Sequence, residues 1–334
     1  MELPKFVQIE PVGQCNLKCR MCPIQFRTDG ARGGPAAFMH YQVFCKLVDQ
    51  FPAMEELHLQ GLGEPMLHPR FFDMVRYASA RGIQVSTNTN LTVCTEARVR
   101  DCLESGLRRL HVSLDGATAE IFEQIRLGAK FEKLMQNLQR LTTLWRAFPF
   151  TGEPMHIGIV VVAMRMNLDQ LAAIVHLAHE YGITDVSVQH LCHDFGEETL
   201  PAHYRPMRSF VDEQTLVGED PQRVARHFEE ARDTAASLGV TLRLPTIHRS
   251  QDTPPKRRYP RCDWPRRGAY ISYNGEAMPC CMVATPDRIN FGNMASEGVE
   301  PIWNNAAYHA FRARLEGDNP PDICKSCAVY AGNF

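Results

Sequence analysis

Three cysteines near the start of the chain have a spacing that suits a metal centre. Cys15, Cys19 and Cys22 form the pattern C-x3-C-x2-C directly after a strand-like segment. Three thiolates can bind three irons of a 4Fe-4S cluster and leave the fourth iron open to another ligand. A zinc ion held by three cysteines and a water is the alternative. The spacing therefore predicts a metal site with one coordination position left for a non-protein ligand.

The elements that must position these cysteines alternate between strands and helices. Six β-rich runs are separated by stretches with helical periodicity, which is typical of a parallel sheet in an α/β protein, either doubly wound or a barrel. The helix following Asn167, which we expect as its N-cap, is one example. The predicted strands cover residues 6–12, 55–62, 83–89, 108–114, 156–164 and 185–191.

The pattern changes after the sixth strand, which predicts three segments. Residues 1–195 form the core, residues 196–255 form a connecting segment of helix and short strand, and residues 256–334 form a small C-terminal domain. A Pro- and Arg-rich stretch marks the seam before the last segment. That segment contains a hairpin with a turn at Asn274-Gly275, a helical stretch and a C-x2-C pair.

Composition limits the cellular context and the partners. The chain has 334 residues, 44% of them hydrophobic, and a formal net charge of -2. This charge gives no general attraction to nucleic acid or to anionic lipid. No long apolar run and no signal-peptide pattern is present, so we expect a cytoplasmic protein with no membrane partner. In a reducing compartment its twelve cysteines are expected to be metal ligands or buried thiols.

The cysteine motif and three strand ends together resemble the radical S-adenosylmethionine (SAM) superfamily. "GLGEP" at 61–65 is similar to the family's G-G-E-P motif, with Leu62 between the glycines, and "STNTN" at 86–90 and "HVSLDG" at 111–116 resemble its SAM-contacting strand ends. The resemblance implies a partial (β/α)6 TIM-type barrel with a 4Fe-4S cluster on Cys15, Cys19 and Cys22, whose open iron takes SAM. It assigns SAM contacts to Gly61, Gly63, Glu64, Ser86, Asn88, Ser113 and Arg126.

The C-terminal cysteines resemble those of the SPASM and twitch extensions of the same superfamily. These extensions carry auxiliary iron–sulfur clusters, and the short distance from Cys327 to the end of the chain favours the twitch form with one cluster. The implied ligands of this small α+β domain are Cys262, Cys280, Cys324 and Cys327. Cys281 could replace Cys280, which is preferred for its spacing from Gly275. A structural zinc on four cysteines is the alternative.

Two further sets of residues are candidates for substrate and partner contacts. His190, His193 and Asp194 follow the last barrel strand, at the mouth where barrels place active sites, and could bind substrate or take a proton. The alternative is that these side chains only pack or hydrogen-bond. A basic run could meet an acidic electron donor such as a flavodoxin or ferredoxin, or a phosphorylated substrate, although a solvated basic linker is the favoured interpretation. The run consists of Lys256, Arg257, Arg258, Arg261, Arg266 and Arg267.

The resemblance implies an oxidoreductase. A closed second cluster can accept an electron, which favours dehydrogenation of a sugar or aminocyclitol in natural-product biosynthesis, by analogy with an aminocyclitol dehydrogenase among twitch-bearing relatives. Decarboxylation or epimerisation of a sugar derivative, and modification of a peptide, are the alternative reactions. The alternative from another class is a non-catalytic iron–sulfur or zinc scaffold protein.

Overall fold

A computed structural model describes residues 1–29, 37–191, 200–246, 262–283, 285–317, 319–325 and 327–331. Within these ranges nine strands form one sheet, in the order β7-β6-β5-β4-β3-β2-β1-β8-β9. The strands are β1 Phe6–Ile9, β2 Glu56–Leu59, β3 Gln84–Thr89, β4 Arg109–Ser113, β5 His156–Ala163, β6 Asp185–His190, β7 Thr241–Arg243, β8 Gly268–Ile271 and β9 Ala277–Met278. All neighbouring pairs are parallel except β8 with β9.

Helices connect the strands, as parallel pairing requires. Those of the core are α1 Tyr41–Asp49, α2 Phe71–Ser79, α3 Glu96–Glu104, α4 Ala119–Ile125, α5 Phe131–Ala147 and α6 Leu171–Glu180, and α7 Arg205–Gln214 and α8 Pro221–Leu238 follow. The C-terminal helices are α9 Trp264–Arg267, α10 Met294–Glu297, α11 Val299–Trp303, α12 Ala306–Glu316, α13 Asp322–Lys325 and α14 Ala328–Ala331. The predicted partial barrel, with strands and helices alternating, is confirmed.

Alternating side chains on the strands separate the barrel interior from the helix-covered exterior. On β4 the side chains of Leu110 and Val112 are buried, whereas those of His111 and Ser113 are partly accessible. The buried set packs under the helices and forms the hydrophobic core. The partly accessible set faces the barrel interior. Every second side chain along a strand is therefore available for chemistry inside the barrel.

The C-terminal hairpin extends the core sheet. Strand β8 pairs with β1 in parallel, from Phe6 opposite Gly268 to Ile9 opposite Ile271. The hairpin turn uses Gly275 at a φ of 87°, a conformation that favours glycine. The sheet is therefore continuous across the predicted boundary between the connecting segment and the C-terminal domain. The bounds of the three segments remain predictions.

The expected cap at Asn167 differs from the structure in its detail. Asn167 precedes a 3-10 turn at Leu168–Gln170, but its side chain makes no capping hydrogen bond. Its amide donates instead to the carbonyl oxygens of Asp115 and Val162, at 2.9 Å each, and its Oδ1 accepts from the backbone N–H of Met164 at 2.7 Å. These bonds fix the end of β5 to the end of β4.

Candidate active site

The three N-terminal cysteines lie in the loop between β1 and a 3-10 turn at Pro23–Phe26. The backbone N–H of Cys22 donates to the carbonyl oxygen of Cys19 at 3.0 Å, and that of Leu17 donates to the sulfur of Cys15 at 3.4 Å. Burial raises the pKa of the Cys15 thiol to about 12 and raises the pKa of the other two thiols as well. The sulfurs are thus grouped in a shielded site whose thiolates a metal would stabilise.

The glycine motif after β2 holds this loop in place. A Cβ atom at Gly63 would overlap the carbonyl oxygen of Val12 and lie 2.6 Å from that of Gln14. The backbone N–H of Glu64 donates to the Gln14 carbonyl at 3.1 Å. Glycine is therefore required at Gly63 because the chain before the first cysteine passes directly against it, and a Cβ at Gly61 would likewise meet the side chain of Glu10.

The carboxylate of Glu64 ties the ends of two strands together. Its oxygens accept hydrogen bonds from the hydroxyl of Thr89 and the backbone N–H of Asn90, both at 2.7 Å, and from the backbone N–H of Met66 at 3.1 Å. Burial raises the pKa of this carboxyl while the three hydrogen bonds oppose that rise. The side chain of Glu64 therefore holds the ends of the two strands together. Glu64 also lines the cavity described next.

A cavity of about 460 Å³ lies above the carboxyl ends of the strands. It brings together the three N-terminal cysteines and most of the residues that the SAM resemblance indicates, namely Gly61, Gly63, Glu64, Asn88, Ser113 and Arg126. Ser86 does not line it: its hydroxyl lies 2.9 Å from Nδ1 of His58, one pleat below Asn88. The structure therefore separates Ser86 from the other predicted contacts.

Arg126 lines this cavity beside the cysteines. Its Nη2 lies 2.7 Å from Oδ2 of Asp115, and the two side chains are 10% and 0% exposed. Its buried Nε has no hydrogen-bond partner among the residues that the structure describes. Burial opposes the charge, but the nearby Asp115 carboxylate outweighs it and raises the pKa of Arg126. A buried cation beside three thiols in the cavity wall fits the carboxylate of SAM.

The opposite side of the cavity carries other polar groups. His190 is 4% exposed, its Nε2 donates to the carbonyl oxygen of Thr246 at 3.0 Å, and burial lowers its pKa. His58 and Gln60 lie lower in the cavity, with Nε2 of His58 3.0 Å from Oε1 of Gln60. Of the predicted proton carriers, only His190 can be located, because His193 and Asp194 lie outside the described residues.

The C-terminal cysteines form a second group next to this cavity. Burial raises the pKa of Cys280, and the charges of Cys281, Cys327, Cys324 and Cys262 raise it further. The backbone N–H of Cys327 donates to the carbonyl oxygen of Cys324 at 3.3 Å. Cys281 lines the large cavity, together with Tyr270 and Met282. Cys281, next to Cys280, thus places the second sulfur group at the wall of the cavity that the first group also lines.

The basic run is only partly described. Lys256, Arg257, Arg258 and Arg261 lie outside the described residues. Arg266 forms an ion pair with Glu316, and Nε of Arg267 lies 3.8 Å from Oδ2 of Asp263.

Sequence reasoning missed several residues of the cavity. Gln8, Asn90, Gln189 and Tyr270 also line it. The amide of Asn90 donates to the sulfur of Cys15 at 3.7 Å. Strand alternation could have indicated Asn90 and Gln189. Each is an even number of residues away from a residue of β3 or β6 that faces the barrel interior, and such residues share one side of the strand.

A buried ion pair behind the cysteine loop was also missed. Nη1 of Arg27 donates to Oε1 of Glu10 at 2.7 Å, with the side chains 1% and 0% exposed, and Nε of Arg27 donates to Asp29 at 2.7 Å. The hydroxyl of Tyr273 donates to the carbonyl oxygen of Asp29. The network joins the cysteine loop to the C-terminal hairpin.

Two family models match the chain. The Radical SAM superfamily model matches residues 9–152, and the SPASM model, described as an iron-sulfur cluster-binding domain, matches residues 262–328. Among the described residues, no helix has the length and apolar character needed to cross a membrane.

Individual relatives agree with these models. The chain is 31% identical to mycofactocin maturase MftC of Mycobacterium ulcerans over 95% of this chain and 78% of that protein. It is 25% identical to a tungsten-containing aldehyde ferredoxin oxidoreductase cofactor-modifying protein of Pyrococcus furiosus, over 97% and 87% of the two chains.

A solved structure shows the same fold. The structure of Streptococcus suis SuiB bound to its precursor peptide SuiA superposes with a TM-score of 0.70 at 14% identity, over 99% of this chain and 71% of that one. The chain therefore belongs to the radical SAM superfamily, with a C-terminal SPASM domain, and its cofactors are SAM, a 4Fe-4S cluster and an auxiliary iron–sulfur cluster.

Proposed function

We propose that the enzyme oxidises a hydroxyl-bearing small molecule, such as a sugar or an aminocyclitol, in natural-product biosynthesis. The observation that supports this most is the polar lining of the cavity between the two cysteine groups. Carbohydrate-like ligands need several convergent hydrogen-bonding groups. The polar side chains available there are Gln8, His58, Gln60, Asn88, Ser113, Gln189 and His190.

The residues of the N-terminal group divide into those for the cluster and those for SAM. We assign Cys15, Cys19 and Cys22 to the cluster. Arg126 would pair with the carboxylate of SAM, because its Nε is the buried donor that lacks a partner among the described residues. Asn88 and Ser113 supply hydrogen bonds at neighbouring strand ends, and the main chain at 61–64 supplies acceptors for the SAM amino group.

The chemistry proposed for the site is oxidation by loss of a hydrogen atom, a proton and an electron. When bound, the cofactors supply a 5'-deoxyadenosyl radical that takes the hydrogen atom, and an auxiliary cluster that can accept the electron. His190 would take the proton from the substrate hydroxyl, since burial lowers its pKa and keeps the imidazole neutral at pH 7. Cys262, Cys280, Cys324 and Cys327 would hold the auxiliary cluster. A flavodoxin or ferredoxin is the proposed source of reducing electrons.

Peptide modification is the second candidate, and the comparisons support it. The M. ulcerans relative is a mycofactocin maturase, and a PqqA peptide cyclase of Ruegeria pomeroyi is 27% identical over 94% of this chain. A peptide would enter the same cavity, and the same cysteines and Arg126 would serve. The two candidates share the abstraction of a hydrogen atom and differ in which molecule loses it.

Deuterium transfer distinguishes the candidates. Reconstituted enzyme, SAM and dithionite are incubated with aminocyclitols or sugars deuterated at each carbinol carbon, and in parallel with deuterated precursor peptides. We expect deuterium in 5'-deoxyadenosine and a product lighter by two hydrogens from a cyclitol or sugar. A product in which the transferred deuterium has been replaced by a hydrogen, with no further loss, would instead indicate epimerisation, and loss of CO2 would indicate decarboxylation. Transfer from peptides alone would replace the first proposal with the second.

A further inference from the structure

Three side chains of types that commonly ligate metals lie together outside the active cavity. His111 is on β4, His156 is at the start of β5, and Asp185 is at the start of β6. Their ligand atoms all lie within 4.8 Å of one another. These three strands are neighbours in the sheet, so the group spans adjacent parallel strands.

The group faces the barrel interior at the end opposite the cysteines. Ser113, Val160 and Gln189 line the active cavity from the same three strands. His111 and Asp185 differ from Ser113 and Gln189 by even numbers of residues, so they share the inward face but lie nearer the amino ends of the strands. The interior of the barrel therefore has two distinct chemical ends.

A glycine makes room for the group. Gly158 lies opposite His111 in the register of β4 and β5. A Cβ at this position would lie 2.9 Å from Cδ2 of His111 and 3.3 Å from Oδ1 of Asp185. Any larger residue would fill the space between the imidazole and the carboxylate, which Gly158 leaves open.

The donor atoms are available to an ion. No residue that the structure describes forms a hydrogen bond with either ring nitrogen of His111. Oδ1 of Asp185 accepts from Nη2 of Arg243 at 2.6 Å, whereas Oδ2 lies 3.8 Å from Nε2 of His156. Arg243 thus orients the carboxylate from outside, as outer partners of metal ligands commonly do.

An entry path reaches the group from the surface. The side chain of His156 is 41% exposed and borders a second cavity of about 280 Å³, whose other walls include Trp145, Glu153 and Thr184. An ion could therefore reach the group without passing through the active cavity.

We propose that His111, His156 and Asp185 form a binding site for one divalent metal ion, with Zn²⁺ as the best fit. Two imidazoles and one carboxylate are a common zinc donor set, and a water completes the tetrahedron. The ion ties β4, β5 and β6 together at their amino ends. Their other ends carry Ser113, Gln189 and His190, so the site supports the substrate side of the barrel.

Metal analysis tests the site. Protein with both clusters reconstituted is freed of loosely bound metal, equilibrated with Zn²⁺ and assayed for zinc and iron per chain. We expect about one zinc per chain in the native protein. His111→Gln and Asp185→Asn should each lose this zinc and keep the iron content. His176→Gln changes an exposed histidine on α6 and should retain the zinc.

Cobalt identifies the ligands independently of activity. Co²⁺ equilibrated with the same reconstituted protein should show visible ligand-field bands without thiolate-to-cobalt charge transfer, since the donors are nitrogen and oxygen. His156→Gln, at the more exposed ligand, provides a second variant if His111→Gln fails to fold. Equal zinc in the native protein and in the ligand variants, no zinc in the native protein, or cobalt bands of thiolate type would each overturn the proposal.

Discussion

Replacing Arg126 with lysine should weaken SAM binding while leaving the protein folded. Lysine keeps the positive charge beside Asp115, whose carboxylate is fully buried and 2.7 Å from Nη2 of Arg126. It removes the Nε donor that has no partner among the described residues. A hydrogen bond to a charged group contributes about 1.5–3 kcal/mol, so SAM affinity should fall about 10- to 150-fold.

Equilibrium dialysis of SAM against anaerobically reconstituted protein measures this loss. Iron content should stay at the native value, because the three N-terminal cysteines, and not Arg126, are the proposed cluster ligands. Arg100→Lys is the matched control, since Arg100 is exposed and pairs with Glu96 on the helix surface. An unchanged SAM dissociation constant in Arg126→Lys, with iron content unchanged, would refute the assignment of Arg126 to the SAM carboxylate.

Three other variants test the scaffold around the site. Gly63→Ala should lower both iron content and SAM cleavage, because its Cβ would overlap the chain before the first cysteine. Arg27→Met should lower the free energy of unfolding by about 3–5 kcal/mol, because it leaves the buried Glu10 carboxylate without its partner. Burial lowers the pKa of His58 to about 4, so protonation of the unfolded chain should reduce stability as pH falls from 6.5 towards 4, by at most about 3 kcal/mol. His58→Gln should remove this share of the acid sensitivity, while His111 and His190, whose pKa burial also lowers, keep theirs.

Each of these variants has a control or an opposing outcome. Gly152→Ala adds a Cβ with no heavy atom within 4 Å and should behave as the native protein does. Lys5→Met removes an exposed ion pair and should leave the midpoint of urea unfolding close to the native value. A Gly63→Ala protein with full iron, an Arg27→Met protein as stable as Lys5→Met, or an acid sensitivity in His58→Gln equal to that of the native protein would contradict the corresponding argument.

The sequence was sufficient for features whose signal is local. The C-x3-C-x2-C spacing places Cys15, Cys19 and Cys22 in one loop, and alternating strand and helix periodicity predicts the parallel sheet. The Asn274-Gly275 dipeptide likewise predicts its own turn, which the positive φ of Gly275 confirms.

Features that depend on which residues meet across the fold were not predictable in this way. Arg27 and Glu10 pair because a loop folds back behind the first strand, which no short pattern reveals. Ser86 and Asn88 share the same face of β3, but depth in the barrel puts only Asn88 in the cavity. His111, His156 and Asp185 are far apart in sequence, and only strand order brings them together.

Production of 5'-deoxyadenosine, measured together with iron content, tests whether this chain generates a radical from SAM. Anaerobically reconstituted protein should contain about eight irons and form 5'-deoxyadenosine from SAM and dithionite, because each cluster holds four irons. Replacing Cys15, Cys19 and Cys22 with alanine should leave about four irons and abolish 5'-deoxyadenosine. Native protein with about four irons or fewer and no 5'-deoxyadenosine would contradict radical SAM chemistry in this chain and favour a non-catalytic scaffold.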